Sequence, residues 1–300
     1  MLKACTLIGL LIFLAGPTTA LGDEPIRIAY GPEPTSFGEL RLPAVQPGKA
    51  PVAVLIHGGC WRADKGSNAS FRPMAESLAA DGIASWNIEF RRVGQAGGGW
   101  PGTFLDLAKA VDQLPGIANQ YPLDMSRVML VGHSSGGHFA AWLATRKQLP
   151  RGSAIRGQKP EMRFMGIVLA DAFLDPRVID STGVDGKLYC GEPTLDQLMG
   201  GTPQSKPGNL QQISPLEWLP WGIPQRYVVS SLRYPVTPGR VLAEGRTTMT
   251  MPDYPALARA AGDSIQLDLV EGAAHFDFMK PGTKAFEALH RGVVSMFAGR

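Results

Sequence analysis

Cysteine is scarce in this chain of 300 residues: Cys5, Cys60 and Cys190 are the three. Neither sign of charge dominates, with 29 Lys and Arg against 26 Asp and Glu and a formal net charge of +3. No dense Lys/Arg run with interleaved aromatics occurs, so nucleic acid is not an expected partner. No internal repeat is present, which points away from repetitive architectures. Charged residues make up 18% of the chain and hydrophobic ones 44%, with Gly 36 and Pro 25. That balance fits a globular chain with a substantial core.

The first residues have the order of a secretory leader. Lys3 precedes an apolar run through Ala15, and Pro17-Thr18-Thr19-Ala20 supplies small residues before Asp23. Cleavage after Ala20 or Gly22 is expected, giving a leader over 1–22, a domain over 23–300 and a periplasmic or secreted product. An uncleaved anchor is the alternative; after cleavage no stable membrane insertion is expected. Cys5 lies too early in the leader to carry a lipid. Export leaves Cys60 and Cys190 in an oxidising compartment, where pairing depends on a Cα separation that sequence does not give.

Along the rest of the chain, strand patterns alternate with helical ones. Ile26 to Tyr30 and Phe37 to Leu42 suggest an edge hairpin. Pro51 to Ile56 is a continuous apolar run, as expected of a strand covered on both faces. Helices are expected over 70–81, 104–119, 138–146, 254–261 and 283–297. Further strands are expected over 83–90, 127–131, 164–170, 225–231 and 265–270. This alternation predicts one α/β domain with a largely parallel, doubly wound sheet. The stretch from Asp171 to Gln212 is too long for a plain connection, which predicts a lid-like insertion after the sixth strand.

The organising stretch is Gly132-His133-Ser134-Ser135-Gly136-Gly137, placed between an apolar strand and a helix. A tight strand-to-helix turn with glycines at its flanks raises the Ser134 hydroxyl above the sheet as a candidate nucleophile. His57-Gly58-Gly59-Cys60-Trp61 follows the third strand, and its N–H groups at Gly59 or Cys60, with that of Ser135, are the expected oxyanion donors. Glu271-Gly272-Ala273-Ala274-His275 sets His275 in a loop of small residues after the last strand, where it serves as the candidate base. His57, His133, His138 and His290 are expected to pack or hydrogen-bond. Trp61, Trp100 and the Trp218 to Trp221 region are candidate pocket walls, and an Arg91–Asp106 pair is the expected use of Arg91.

These motifs, in this order, resemble the α/β-hydrolase superfamily, most nearly its esterase and kynurenine-formamidase-like branch with an HGGxW oxyanion loop. Arg91, Trp100-Pro101 and Asp106 also fit that pattern, and the resemblance spans Ile26 to the C-terminus. It implies a single α/β-hydrolase domain and a Ser-His-acid mechanism through an acyl-enzyme on a small carboxylic ester, without metal or organic cofactor. An N-formyl amide is the alternative substrate. A catalytically impaired, ligand-binding relative is the alternative of a different kind.

Its motivation is a departure from the family pattern. The family's acid follows the seventh strand in a segment like G-x-x-D-P-x-V-P. Here Ser231-Leu232-Arg233-Tyr234-Pro235-Val236 has no carboxylate. Asp171 at the end of the sixth strand ranks first as a replacement, because a strand end is a firm platform. Glu244 is the alternative, and Asp253 suits a helix N-cap better.

Overall fold

The computed structural model describes residues 24–45, 47–158, 162–180, 188, 190–231, 240–241, 247–248 and 254–299. β1 (Ile26–Ala29) and β2 (Phe37–Arg41) form the expected antiparallel edge hairpin. β2 also pairs antiparallel with β4 (Ala84–Ile88). From β4 onward the pairing is parallel, through β3 (Ala50–Ile56), β5 (Leu123–His133), β6 (Gly166–Ala170), β7 (Gln225–Ser230) and β10 (Ile265–Val270). The eight-stranded order is β1-β2-β4-β3-β5-β6-β7-β10. Two-residue strands β8 (Arg240–Val241) and β9 (Thr247–Thr248) pair with each other apart from this sheet.

Alternation along the strands explains why the sheet is covered on both faces. Val52, Val54 and Ile56 of β3 join one apolar cluster with Val128 and Leu130 of β5. Ala53 and Leu55 join the other with Met129 and Val131. Successive side chains point to opposite faces, so an unbroken apolar run serves two cores. On the first face lie α2 (Gly102–Asp112), α3 (Leu114–Ala118) and α4 (Ser135–Thr145), supplying Phe104, Leu107, Phe139 and Trp142. On the second lie α1 (Arg72–Ala80) and α8 (Lys284–Phe297), supplying Met74, Leu78, Phe286, Leu289 and Val293. Each such buried side chain contributes about 1.5–3 kcal/mol relative to exposure.

Element boundaries moved for local reasons. The helix expected over 104–119 is two helices, because Pro115 opens α3 and cannot donate within a continuous one. The helix expected from His138 starts at Ser135, directly after the positive-φ turn. Between β6 and β7 the stretch read as irregular contains α5 (Leu195–Met199) and α6 (Pro207–Ile213). At five and seven residues they are too short for a periodic signal. α7 (Tyr254–Ala260) and β10 fall where the sequence placed them.

The chain leaves β3 for β4 on one side and later crosses to β5 on the other. That reversal falls at the carboxyl ends of β3 and β5, the position where open α/β sheets bind ligands.

Candidate functional site

The site is built from residues that directly follow parallel strands. Register aligns the strand ends, pairing Ile56 with Gly132, His133 with Ala170, Ala170 with Val228, and Val270 with Ser230. His57, Ser134, Asp171 and the His275 loop therefore emerge at one edge of the sheet.

Ser134 has φ 56 and ψ −125, a conformation that L-residues rarely adopt. Its N–H donates to Ala170 O at 2.9 Å, and its carbonyl accepts from Gly137 N–H at 3.0 Å. Close approach explains the flanking glycines. A Cβ on Gly136 would lie 2.0 Å from Ile56 O, and one on Gly58 would lie 3.0 Å from Ser134 Cβ. The loop after β3 and the turn at Ser134 are thus in contact through backbone that no side chain could enter. Ser135 is the first residue of α4, and the first N–H groups of a helix have no acceptor within it.

His275 opens a 3-10 turn, His275–Met279, that follows β10. Its Nδ1 lies 3.0 Å from Asp171 Oδ2, with both side chains buried. Asp171 is fully buried and has φ 41. Its carboxylate also accepts the Ser230 N–H on Oδ1 at 2.8 Å and the Ser230 hydroxyl on Oδ2. Of the three carboxylates weighed from sequence, Asp171 is therefore the one seen beside His275; Glu244 and Asp253 lie outside the described residues.

His133 donates from Nε2 to His275 O at 2.9 Å, and the two rings lie tilted at 39° with centroids 4.5 Å apart. Asp277 accepts the Ala274 N–H at 2.9 Å, which fixes the loop just before His275. That bond, followed by Lys280, holds the Asp277 carboxyl below the ordinary range.

The loop from His57 to Trp61 is clamped at several points. His57 Nδ1–H donates to Gly58 O at 2.7 Å, while Nε2 faces Glu89 Oε1 at 3.2 Å. Glu89 is buried and also receives Arg92 and the Asn68 and Phe90 N–H groups. Burial acts to raise its pKa, but His57, Arg92 and the Phe90 N–H outweigh burial and lower it. Gly59, Cys60 and Trp61 all have positive φ. Cys60 is disulfide-bonded to Cys190 with a Cα separation of 5.5 Å, which answers the pairing question and ties this loop to the insertion.

The tryptophans expected as pocket walls divide. Trp61 is 1% exposed, and its Nε1–H donates to His138 Nδ1 at 3.1 Å. Trp221 is also buried, stacked on Tyr254. Trp100 is half-buried and rests against Gly200 of the insertion. Arg91 makes the expected bidentate pair with Asp106, both bonds at 2.8 Å. His138 continues the tie, donating from Nε2 to Ile213 O at 2.7 Å, and burial pushes its pKa down to about 4.

Sequence reasoning missed Ser230 and the Glu89 cluster; neither falls in a motif, and no pattern in the sequence marks them. Among the described residues no group of His, Cys, Asp and Glu is arranged to hold a metal ion. Among the same residues no helix is long and apolar enough to cross a membrane.

Comparison with known proteins agrees with this architecture. No curated protein matches the chain. A truncated carbohydrate esterase from gut microbiota superposes with a TM-score of 0.71 at 19% identity, covering 94% of this chain and 99% of that one. A thermophilic esterase from the planctomycete Thermogutta terrifontis gives 0.67 at 19%, covering 92% of each. Esterase B from Lactobacillus rhamnosis, inhibitor-bound, gives 0.70 at 17%, covering 93% and 88%. At these identities the likeness establishes the fold. The BD-FAE family model matches residues 39–230, more than half of the chain. The chain therefore belongs to the BD-FAE family, whose members are esterases of the α/β-hydrolase fold.

Proposed function

We propose that the protein is an exported serine hydrolase that cleaves a small carboxylic ester through an acyl-enzyme. Ser134 is the nucleophile, His275 the base and Asp171 the acid. The observation that carries this reading is the 3.0 Å contact of His275 Nδ1 with Asp171 Oδ2, one residue beyond β6, next to the strained turn that presents Ser134. A carboxylate on Nδ1 holds the imidazole with its proton there and leaves Nε2 basic.

Ser134 Oγ attacks the ester carbonyl as His275 Nε2 takes its proton. Negative charge on the carbonyl oxygen is held by the Ser135 N–H and by those of Gly59 or Cys60. His275 then protonates the departing alcohol, and water, activated by the same nitrogen, frees the acid and restores Ser134. Asp171 stabilises the imidazolium in both halves. The absence of an acid after Ser231, which motivated a ligand-binding reading, loses its force once a neighbouring strand supplies one. The half-buried Trp100 beside the insertion is the proposed wall for the substrate's apolar part, with Trp61 buttressing the loop from behind.

Export is supported by the leader pattern over 1–22, with the hydrolase domain over 23–300. The Cys60–Cys190 bond fits an oxidising compartment.

A fluorophosphonate probe tests the reading on the purified mature protein, together with turnover of p-nitrophenyl acetate. Labelling is expected at Ser134, and Ser134→Ala should abolish it and lower kcat by at least ~10³-fold. Labelling elsewhere, or turnover surviving in Ser134→Ala, would sink the assignment.

A further inference from the structure

The proposed acid, Asp171, stands one residue beyond β6, beside Ser230 at the end of β7; the segment in which the resemblance placed an acid begins only after that strand, at Ser231. We propose that Ser230 is a positioning residue for Asp171, holding its carboxylate ionised and turned so that Oδ2 meets His275 Nδ1. The inference rests on the Ser134–His275–Asp171 reading given above.

Ser230 is the last residue of β7 and is fully buried. Its N–H donates to Oδ1 and its hydroxyl to Oδ2, so one residue grips both oxygens of the carboxylate. Two donors on two oxygens fix the carboxylate plane more firmly than the bond to His275 does alone. They also oppose protonation. A carboxyl this deeply buried is driven toward its neutral form unless donors stabilise the charge, and a neutral acid cannot balance an imidazolium. Parallel pairing supplies the alignment, because Asp171 N–H bonds to Val228 O at 3.0 Å and sets the two strand ends side by side.

Ser230 also shares Oδ2 with His275. Loss of its hydroxyl concentrates charge on the oxygen facing the imidazole, which favours the imidazolium. Loss of a donor equally favours protonation of Asp171. Both effects move the acid limb of the kcat/KM profile to higher pH. Titratable groups near His275 include His133, whose Nε2–H is given to His275 O, and Asp277, engaged by Ala274 N–H and Lys280. Neither contacts Ser230, so its substitution leaves their bonds in place.

The test is the pH profile of p-nitrophenyl acetate hydrolysis by the full mature protein. Ser230→Ala, and the shape-conserving Ser230→Cys with its weaker donor, should raise the acid limb by about half a pH unit or more. Plateau kcat should fall about 3- to 30-fold with KM changed less than about 2-fold, since the lost bond is to a charged group. Ser230→Thr, which keeps the hydroxyl, should return the limb toward wild type. In an Asp171→Asn background the Ser230 substitution should have no further effect on the limb. A folded Ser230→Ala or Ser230→Cys protein with an unmoved limb overturns the proposal, whatever its plateau. If Asp171→Asn is crippled while that limb stays put, Ser230 alone has been misassigned. If Asp171→Asn keeps the wild-type rate, the acid itself has been.

Discussion

Ser134 is held at φ 56 by neighbours that leave it little choice. Its N–H is bonded to β6, its carbonyl to α4, and Gly58 and Gly136 pack too closely to carry side chains. Strain of this kind costs about 1–3 kcal/mol and persists only where surrounding structure over-determines it. At the same scale, His138 is the residue whose protonation the fold resists. Burial is the chief cause, its pKa falls from 6.5 to about 4, and Nδ1 already accepts the Trp61 N–H. A histidine with a lowered folded pKa favours the native state above its unfolded value. That contribution fades as pH drops from about 6.5 to 4, and it amounts to roughly 3 kcal/mol at the limit. Urea unfolding at pH 7 and pH 4 should show such a loss in the wild type and a shallower one in His138→Gln. Equal losses in the two proteins would remove His138 from the account.

At the scale of elements, the loop after β3 is organised from three directions. The His57–Glu89 contact holds it from β4, the Trp61–His138 bond from α4, and the Cys60–Cys190 bond from the insertion. The glycines and the order of motifs were legible, because tight backbone approaches demand those residues at fixed offsets. The clamps were not, since Glu89, His138 and Cys190 meet the loop only through tertiary packing. The short helices of the insertion escaped for a related reason, being too brief to show a period. The disulfide spans a sequence separation of 130, and its removal should cost about 2–4 kcal/mol. Cys190→Ser, compared with wild type in urea unfolding, should show that loss, and kcat/KM should fall as the proposed donor loop at Gly59 and Cys60 loosens. A variant as stable and as active as wild type would mean that the loop needs no such anchor.

At the scale of the whole molecule, the sheet decides where chemistry happens. Strand alternation, two-sided burial and the reversal between β3 and β5 bring four loops to one edge. Those features were readable, because apolar runs of strand length alternating with helical patterns allow few arrangements. What the sequence left open was the choice of acid, since three carboxylates were within plausible reach along the chain. Strand order favours the proposed choice: β6 lies directly between β5 and β7, so Asp171, one step beyond its end, stands next to the turn at Ser134 and within 3.0 Å of His275.

The most direct measurement is kcat for p-nitrophenyl acetate in Asp171→Asn, with folding checked by circular dichroism. An amide keeps the shape and removes the charge, so kcat should drop about 10³- to 10⁴-fold with KM little changed. A folded Asp171→Asn protein turning over at the wild-type rate would contradict the Ser134–His275–Asp171 assignment.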